Sequence, residues 1–88
     1  MSAKRVDANQ ASIVADLRAI GATVLHLHAV GQGCPDILVG FRGENYLFEI
    51  KSPKGRLTPG QEGWHSLWWG QVAVIRCLED ALAIMGLD

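Results

Sequence analysis

The stretch PDILVGFRGENYLFEIK, from Pro35 to Lys51, reads as two apolar strands placed back to back. Ile37 to Phe41 and Tyr46 to Lys51 are rich in aliphatic and aromatic residues, and Arg42-Gly43-Glu44-Asn45 suits a hairpin connection between them. On the second strand Glu49 and Lys51 lie two residues apart and share one face, while Ile50 points to the packed side. A hairpin closed at Arg42 to Asn45 sets Asp36 opposite about Lys51, with Glu49 one step diagonal. Two carboxylates and an ammonium then meet at an exposed strand end.

Working outward, Gly31-Gln32-Gly33 is a flexible break before Asp36, and Thr23 to His28 alternates as a strand. Its Leu25 and Leu27 fall on one side, with Val24, His26 and His28 on the other. Upstream, Asp7 opens a helix running to about Ile20, with Gln10 three residues on as in a capping box. Ile13, Val14, Leu17 and Ile20 form its apolar face, and Gly21 follows as the left-handed residue. Downstream, Ser52 to Leu57 is a polar loop holding Pro53 and Gly55. Thr58-Pro59-Gly60-Gln61 starts another helix, with Thr58 as N-cap, Pro59 at the first position and Gln61 closing a capping box. That helix carries Trp64, Leu67 and Trp68 on one stripe and ends near Gly70. Val72 to Cys77 is a fourth strand, and Leu78 to Met85 a closing helix. The fold class is α/β, with order α-β-β-β-α-β-α and a mixed four-stranded sheet flanked by helices.

The 88 residues suffice for one domain, residues 1–88, and for one modest core. With 49% hydrophobic and 19% charged residues, a disordered tail is excluded. No apolar run approaches the roughly 18 residues of a membrane span, and no secretory signal is read at the N-terminus. Two cysteines, Cys34 and Cys77, make a poor disulfide framework and suggest a reducing compartment, hence a cytoplasmic, unsecreted protein. A net charge of −1 excludes coating nucleic acid by bulk charge but allows a local basic patch.

The chemistry centres on Asp36, Glu49 and Lys51. Hard carboxylate oxygens on one face suit Mg²⁺ or Mn²⁺, with substrate phosphate completing the shell. Such an ion lowers the pKa of bound water and neutralises charge on phosphorus, and Lys51 can stabilise the transition-state oxygens. Lys54 and Arg56 form the dense basic cluster beside this set and suit phosphate contacts.

Pro35-Asp36 followed by Glu49-Ile50-Lys51 resembles the PD-(D/E)XK nuclease superfamily, whose core has this α-β-β-β-α-β order. With Gly33-Cys34 in front and Gly55-Arg56-Leu57-Thr58-Pro59-Gly60-Gln61 behind, the chain is similar to the VRR-NUC branch, in its stand-alone phage and bacterial form. The resemblance runs from about Val6 to Leu82. It implies a restriction-endonuclease-like fold and metal-dependent hydrolysis of DNA phosphodiesters, often in branched DNA such as Holliday junctions. It also implies that Asp36, Glu49 and the Ile50 carbonyl hold the metal, and that Gln61 joins the site. Many superfamily members use a glutamate on the first helix, and here Gln10 matches it, with Asn9 alongside. Gln10 serves either as a weak ligand or as a helix cap.

Other signals point less far. His26 and His28 lack a second ligand pair at zinc spacing. Gly31-Gln32-Gly33 has Asp36 where a dinucleotide loop needs its third glycine. Nothing sets a histidine base and an orienting third group beside Cys34. Trp68 and Trp69 cannot both face one core from a helix, so one of them, with Trp64 or the Leu82–Met85 region, anchors a homodimer. The reading is therefore a metal-dependent, structure-selective endonuclease. Its rival is a catalytically silent DNA-binding or assembly module on the same fold.

Overall fold

The computed structural model describes residues 9–87. Among them, three helices and four strands follow as α1 (Gln10–Ala19), β1 (Thr23–His26), β2 (Ile37–Phe41), β3 (Glu44–Ile50), α2 (Pro59–Leu67), β4 (Ala73–Ile75) and α3 (Leu78–Ile84). The strands form one sheet in the order β1-β2-β3-β4, antiparallel except for the parallel β3–β4 pair. This is the α-β-β-β-α-β-α succession and mixed sheet expected from the sequence.

The hairpin is tighter than the sequence suggested. Phe41 pairs with Glu44, so Arg42 and Gly43 alone make the turn, at φ 52° and 80°. Positive φ at both central residues is the type I′ pattern, whose twist matches the flanking strands. Glu44 and Asn45 therefore belong to β3, and the register shifts by two residues. Ile37 pairs with Phe48, where the ladder ends, and Asp36 is tied by its N–H to Phe48 and by its carboxylate to Ile50 rather than set opposite Lys51. Arg42 lays its guanidinium 4.9 Å from the Phe41 ring centre, a cation–π contact that helps to hold the strained position.

The alternation along β2 and β3 sends Ile37, Val39, Phe48 and Ile50 to one face, where Ile75 of β4 joins them. Ile13, Val14 and Leu17 of α1 and Ala81 of α3, followed by Met85, cover that face. Ile20, expected on the buried stripe, follows the end of α1 and is 40% exposed. The Asp7 N-cap lies outside the described residues; Asn9 precedes the first helical residue, and its side chain makes no cap bond. β1 stops at His26: Leu27 N–H still donates to Asp36 O, but the chain then turns, with Val30 N–H donating to Leu27 O at 2.9 Å. β4 stops at Ile75, and Cys77 becomes the N-cap of α3.

On the opposite face the register aligns Leu25, Leu38 and Leu47 in a row, continued by Glu49 and Val74. There α2 lies against Glu49 through Gln61 and His65, and α2 buries none of its own residues. The helix also ends earlier than expected. Trp68 is its C-cap with extended backbone, its ring stacked 4.7 Å from that of Trp64, and Trp69 lies beyond the helix. The helical argument for Trp68 and Trp69 thus does not apply, yet Leu67 is 79% and Trp69 99% exposed.

Candidate active site

Asp36 sits just before β2 begins, and its N–H and its carboxylate are both tied to β3. Its N–H donates to Phe48 O at 3.1 Å, and its Oδ2 accepts the N–H of Ile50 at 2.7 Å. A strand residue projects its N–H and C=O to the same side. The Ile50 carbonyl therefore lies on the Asp36 side of β3, beyond the β2 ladder. The register thus brings the Asp36 carboxylate to the Ile50 end of β3.

Glu49 corrects the expectation of an exposed strand end. It is 1% exposed, roofed by the face of α2. Gln61 Nε2 donates to Glu49 Oε2 at 3.2 Å, and His65 Nε2 lies 3.5 Å from Oε1. The Gln61 amide has a defined orientation, since its Oε1 accepts the Thr58 N–H at 2.9 Å while Thr58 Oγ1 accepts the Gln61 N–H at 3.2 Å. The capping box forms as read from the sequence. Capping and contact with Glu49 are thus one arrangement: the cap uses the amide oxygen and turns the NH₂ toward the carboxylate. Burial lowers the His65 pKa below the usual histidine value, favouring the neutral ring beside Glu49.

Asp36, Glu49, Lys51 and Gln61 line one cleft of about 530 Å³, closed on its far side by the Gly31–Cys34 loop. That loop rests on the head of α2. Gly33 has φ +82°, and a Cβ there would run into the Gly60 carbonyl, its carbon only 2.8 Å away. Lys51 is fixed through its backbone: its N–H donates to Ile75 O at 3.0 Å, and its carbonyl accepts from Asn9 Nδ2 at 3.2 Å. Asn9 Nδ2 also reaches Arg76 O at 3.0 Å, so the residue before α1 bridges the ends of the two parallel strands. Gln10 is 5% exposed and does not line the cleft. Lys54 and Arg56 are exposed on the loop beyond Lys51, also outside the cleft lining. Their loop is held by Arg76, whose Nη1 donates to Ser52 O at 2.6 Å and Gly55 O at 2.7 Å.

Sequence reasoning missed His65, Asn9 as a strand bridge and the Arg76 loop contact. His65 carried a signal, four residues after Gln61 and so on the same helix face. The Arg76 contact carried none, because it spans more than twenty residues to backbone atoms. His26 and His28 stand with ring centres 6.0 Å apart, and among the described residues no group of three His, Cys, Asp or Glu could hold a metal ion. The available donors are two carboxylates and a backbone carbonyl, all hard oxygens. They do not fit a zinc cage, but they fit Mg²⁺ or Mn²⁺, which take one or two carboxylates and complete the shell with water and phosphate.

No family model matches this chain, and no curated protein matches it. Among solved structures, the chain is similar to one described as a VRR_NUC domain, with a TM-score of 0.66 over 88% of this chain and 89% of that one. The chain has the fold of a VRR_NUC domain. Sequence identity to that VRR_NUC structure is 23%, so the likeness is one of architecture. No helix among the described residues is long and apolar enough to cross a membrane.

Proposed function

We propose that this protein is a VRR-NUC-type, divalent-metal-dependent DNA endonuclease of the PD-(D/E)XK class, acting on branched DNA as a homodimer. The observation that carries the reading is the cleft that Asp36, Glu49 and Lys51 line together, with Asp36 Oδ2 tied to β3 by the Ile50 N–H. Asp36, Glu49 and the Ile50 carbonyl hold the ion. When bound, Mg²⁺ or Mn²⁺ supplies Lewis acidity to the scissile phosphate and to the attacking water.

The chain's own residues do the rest. Lys51 presents an ammonium to the phosphate oxygens, where charge grows in the transition state. Gln61 holds Glu49 in place through its amide N–H. Lys54 and Arg56 contact flanking phosphates and fix the register of the backbone without reading sequence. Leu67 and Trp69, at 79% and 99% exposure, form an apolar projection of a kind a monomer seldom leaves uncovered, and supply the dimer anchor.

The test is a panel of labelled single-stranded, duplex, flap and four-way DNA, with Mg²⁺, Mn²⁺ or chelator. Cleavage that requires the ion and favours the four-way junction supports the full reading. Equal cleavage of all substrates removes junction selectivity alone. Tight DNA binding with no cleavage under either ion replaces the nuclease with a silent binding module. Light scattering at micromolar concentration should return twice the chain mass, and Trp69→Lys should return the monomer.

A further inference from the structure

We propose that His65 is a positioning residue, forming with Gln61 a two-point clamp that fixes the plane of the Glu49 carboxylate. This rests on the reading of Glu49 as a metal ligand. Gln61 and His65 are four residues apart on α2, hence side by side on one face. Each addresses a different oxygen of the same group: Gln61 Nε2 lies 3.2 Å from Oε2, and His65 Nε2 lies 3.5 Å from Oε1.

A carboxylate held at one oxygen can still turn about its terminal bond, which is a soft two-fold torsion. Held at both, it keeps one plane. The remaining lone pairs then keep a fixed direction, which is what a small ion with strict geometry requires of its ligand. His65 is itself held, with its side chain 14% exposed and its ring edge-on to Trp64 at 5.9 Å and 72°. Gln61 is held by Thr58. Both arms of the clamp are therefore anchored within α2, and Glu49 belongs to β3. The clamp aligns the helix with the site strand at the atom group that matters.

The experiment compares His65→Gln with His65→Asn and His65→Ala. A glutamine amide nitrogen reaches about as far as imidazole Nε2, whereas an asparagine amide stops near the Nδ1 position. Mn²⁺ affinity is measured by calorimetry on the DNA-free protein, with unfolding followed in chelator. His65→Ala and His65→Asn should weaken Mn²⁺ binding roughly 10- to 100-fold, the range for loss of a group that orients a ligand. His65→Gln should restore it to within about threefold of wild type on the same grounds.

Unchanged Mn²⁺ affinity in His65→Asn, beside a wild type that binds, overturns the clamp and leaves the metal site standing. Equal weakening in His65→Gln and His65→Asn also overturns it, because reach to Glu49 would then be irrelevant. A wild type that binds Mn²⁺ no better than Asp36→Asn overturns the metal reading itself, and the clamp with it.

Discussion

Gln61→Glu separates the two duties of this side chain. The new carboxylate still accepts the Thr58 N–H, since glutamate serves as well as glutamine at this position of a capping box. What changes is the other end, where a donor 3.2 Å from Glu49 Oε2 becomes an anionic oxygen. Losing a hydrogen bond to a charged acceptor costs about 1.5–3 kcal/mol. Two like charges about 4 Å apart add about 4 kcal/mol at an effective dielectric of about 20. The pair can escape that repulsion by taking up one proton. Keeping a proton at pH 7 on a carboxyl group that ordinarily titrates near 4.3 costs about 3.7 kcal/mol, which caps the charge penalty. The total at pH 7 is therefore about 3–4 kcal/mol in chelator. The folded variant binds more protons than its unfolded chain, so the penalty is small below about pH 4 and grows as pH rises toward 7. Urea unfolding of variant and wild type at pH 4, 5.5 and 7 reads this directly. A difference below about 1 kcal/mol at pH 7, or one independent of pH, would refute the stated contact between Gln61 and Glu49.

Asp36→Asn, Glu49→Gln and Lys51→Ala should each lower Mn²⁺-dependent cleavage at least about 100-fold in a single-turnover assay, with far-ultraviolet circular dichroism unchanged. Lys54→Glu combined with Arg56→Glu should reduce the slope of log affinity against log salt by roughly 2, as two lost phosphate contacts require, while single-turnover chemistry persists. Gly33→Ala should destabilise the protein by about 1–3 kcal/mol, because the residue must keep φ +82° and its Cβ has no room beside Gly60. A melting temperature within about 2 °C of wild type would contradict that packing.

Where local chemistry decides, the sequence could be read closely. Thr58, Pro59 and Gln61 encode a helix start within four residues, and it forms as read. The identity of β2 and β3, and the shared face of Glu49 and Lys51, follow from strand alternation alone. The register was not legible, because it depends on Arg42 accepting a left-handed backbone that non-glycine residues rarely take. A four-residue connection through Glu44 and Asn45 satisfies the same sequence. That choice shifted the register by two residues and tied Asp36 to Phe48 and Ile50 rather than to Lys51. The burial of Glu49 was equally hidden, since α2 covers it through Gln61 and His65 and not through an apolar stripe. Trp64, Leu67 and Trp68 carry the spacing of a buried face, but the helix unwinds at Trp68 and Leu67 faces outward. Periodicity locates an apolar face without saying what covers it.

Arg76 gives its guanidinium to the carbonyls of Ser52 and Gly55, and its own N–H to Asp80 Oδ2 at 2.8 Å. The segment bearing Lys54 and Arg56 is therefore held by the residue that joins β4 to α3. The shape of the basic loop thus depends on a long-range contact that the Asp36 and Glu49 hydrogen bonds do not share. The same linkage lets the loop's grip be retuned from the far side of the sheet. Substitutions at Asp80 would change how firmly Lys54 and Arg56 are presented while leaving Asp36 and Glu49 untouched. On the proposed reading, affinity for DNA and chemistry on it rest on separable parts of a very short chain.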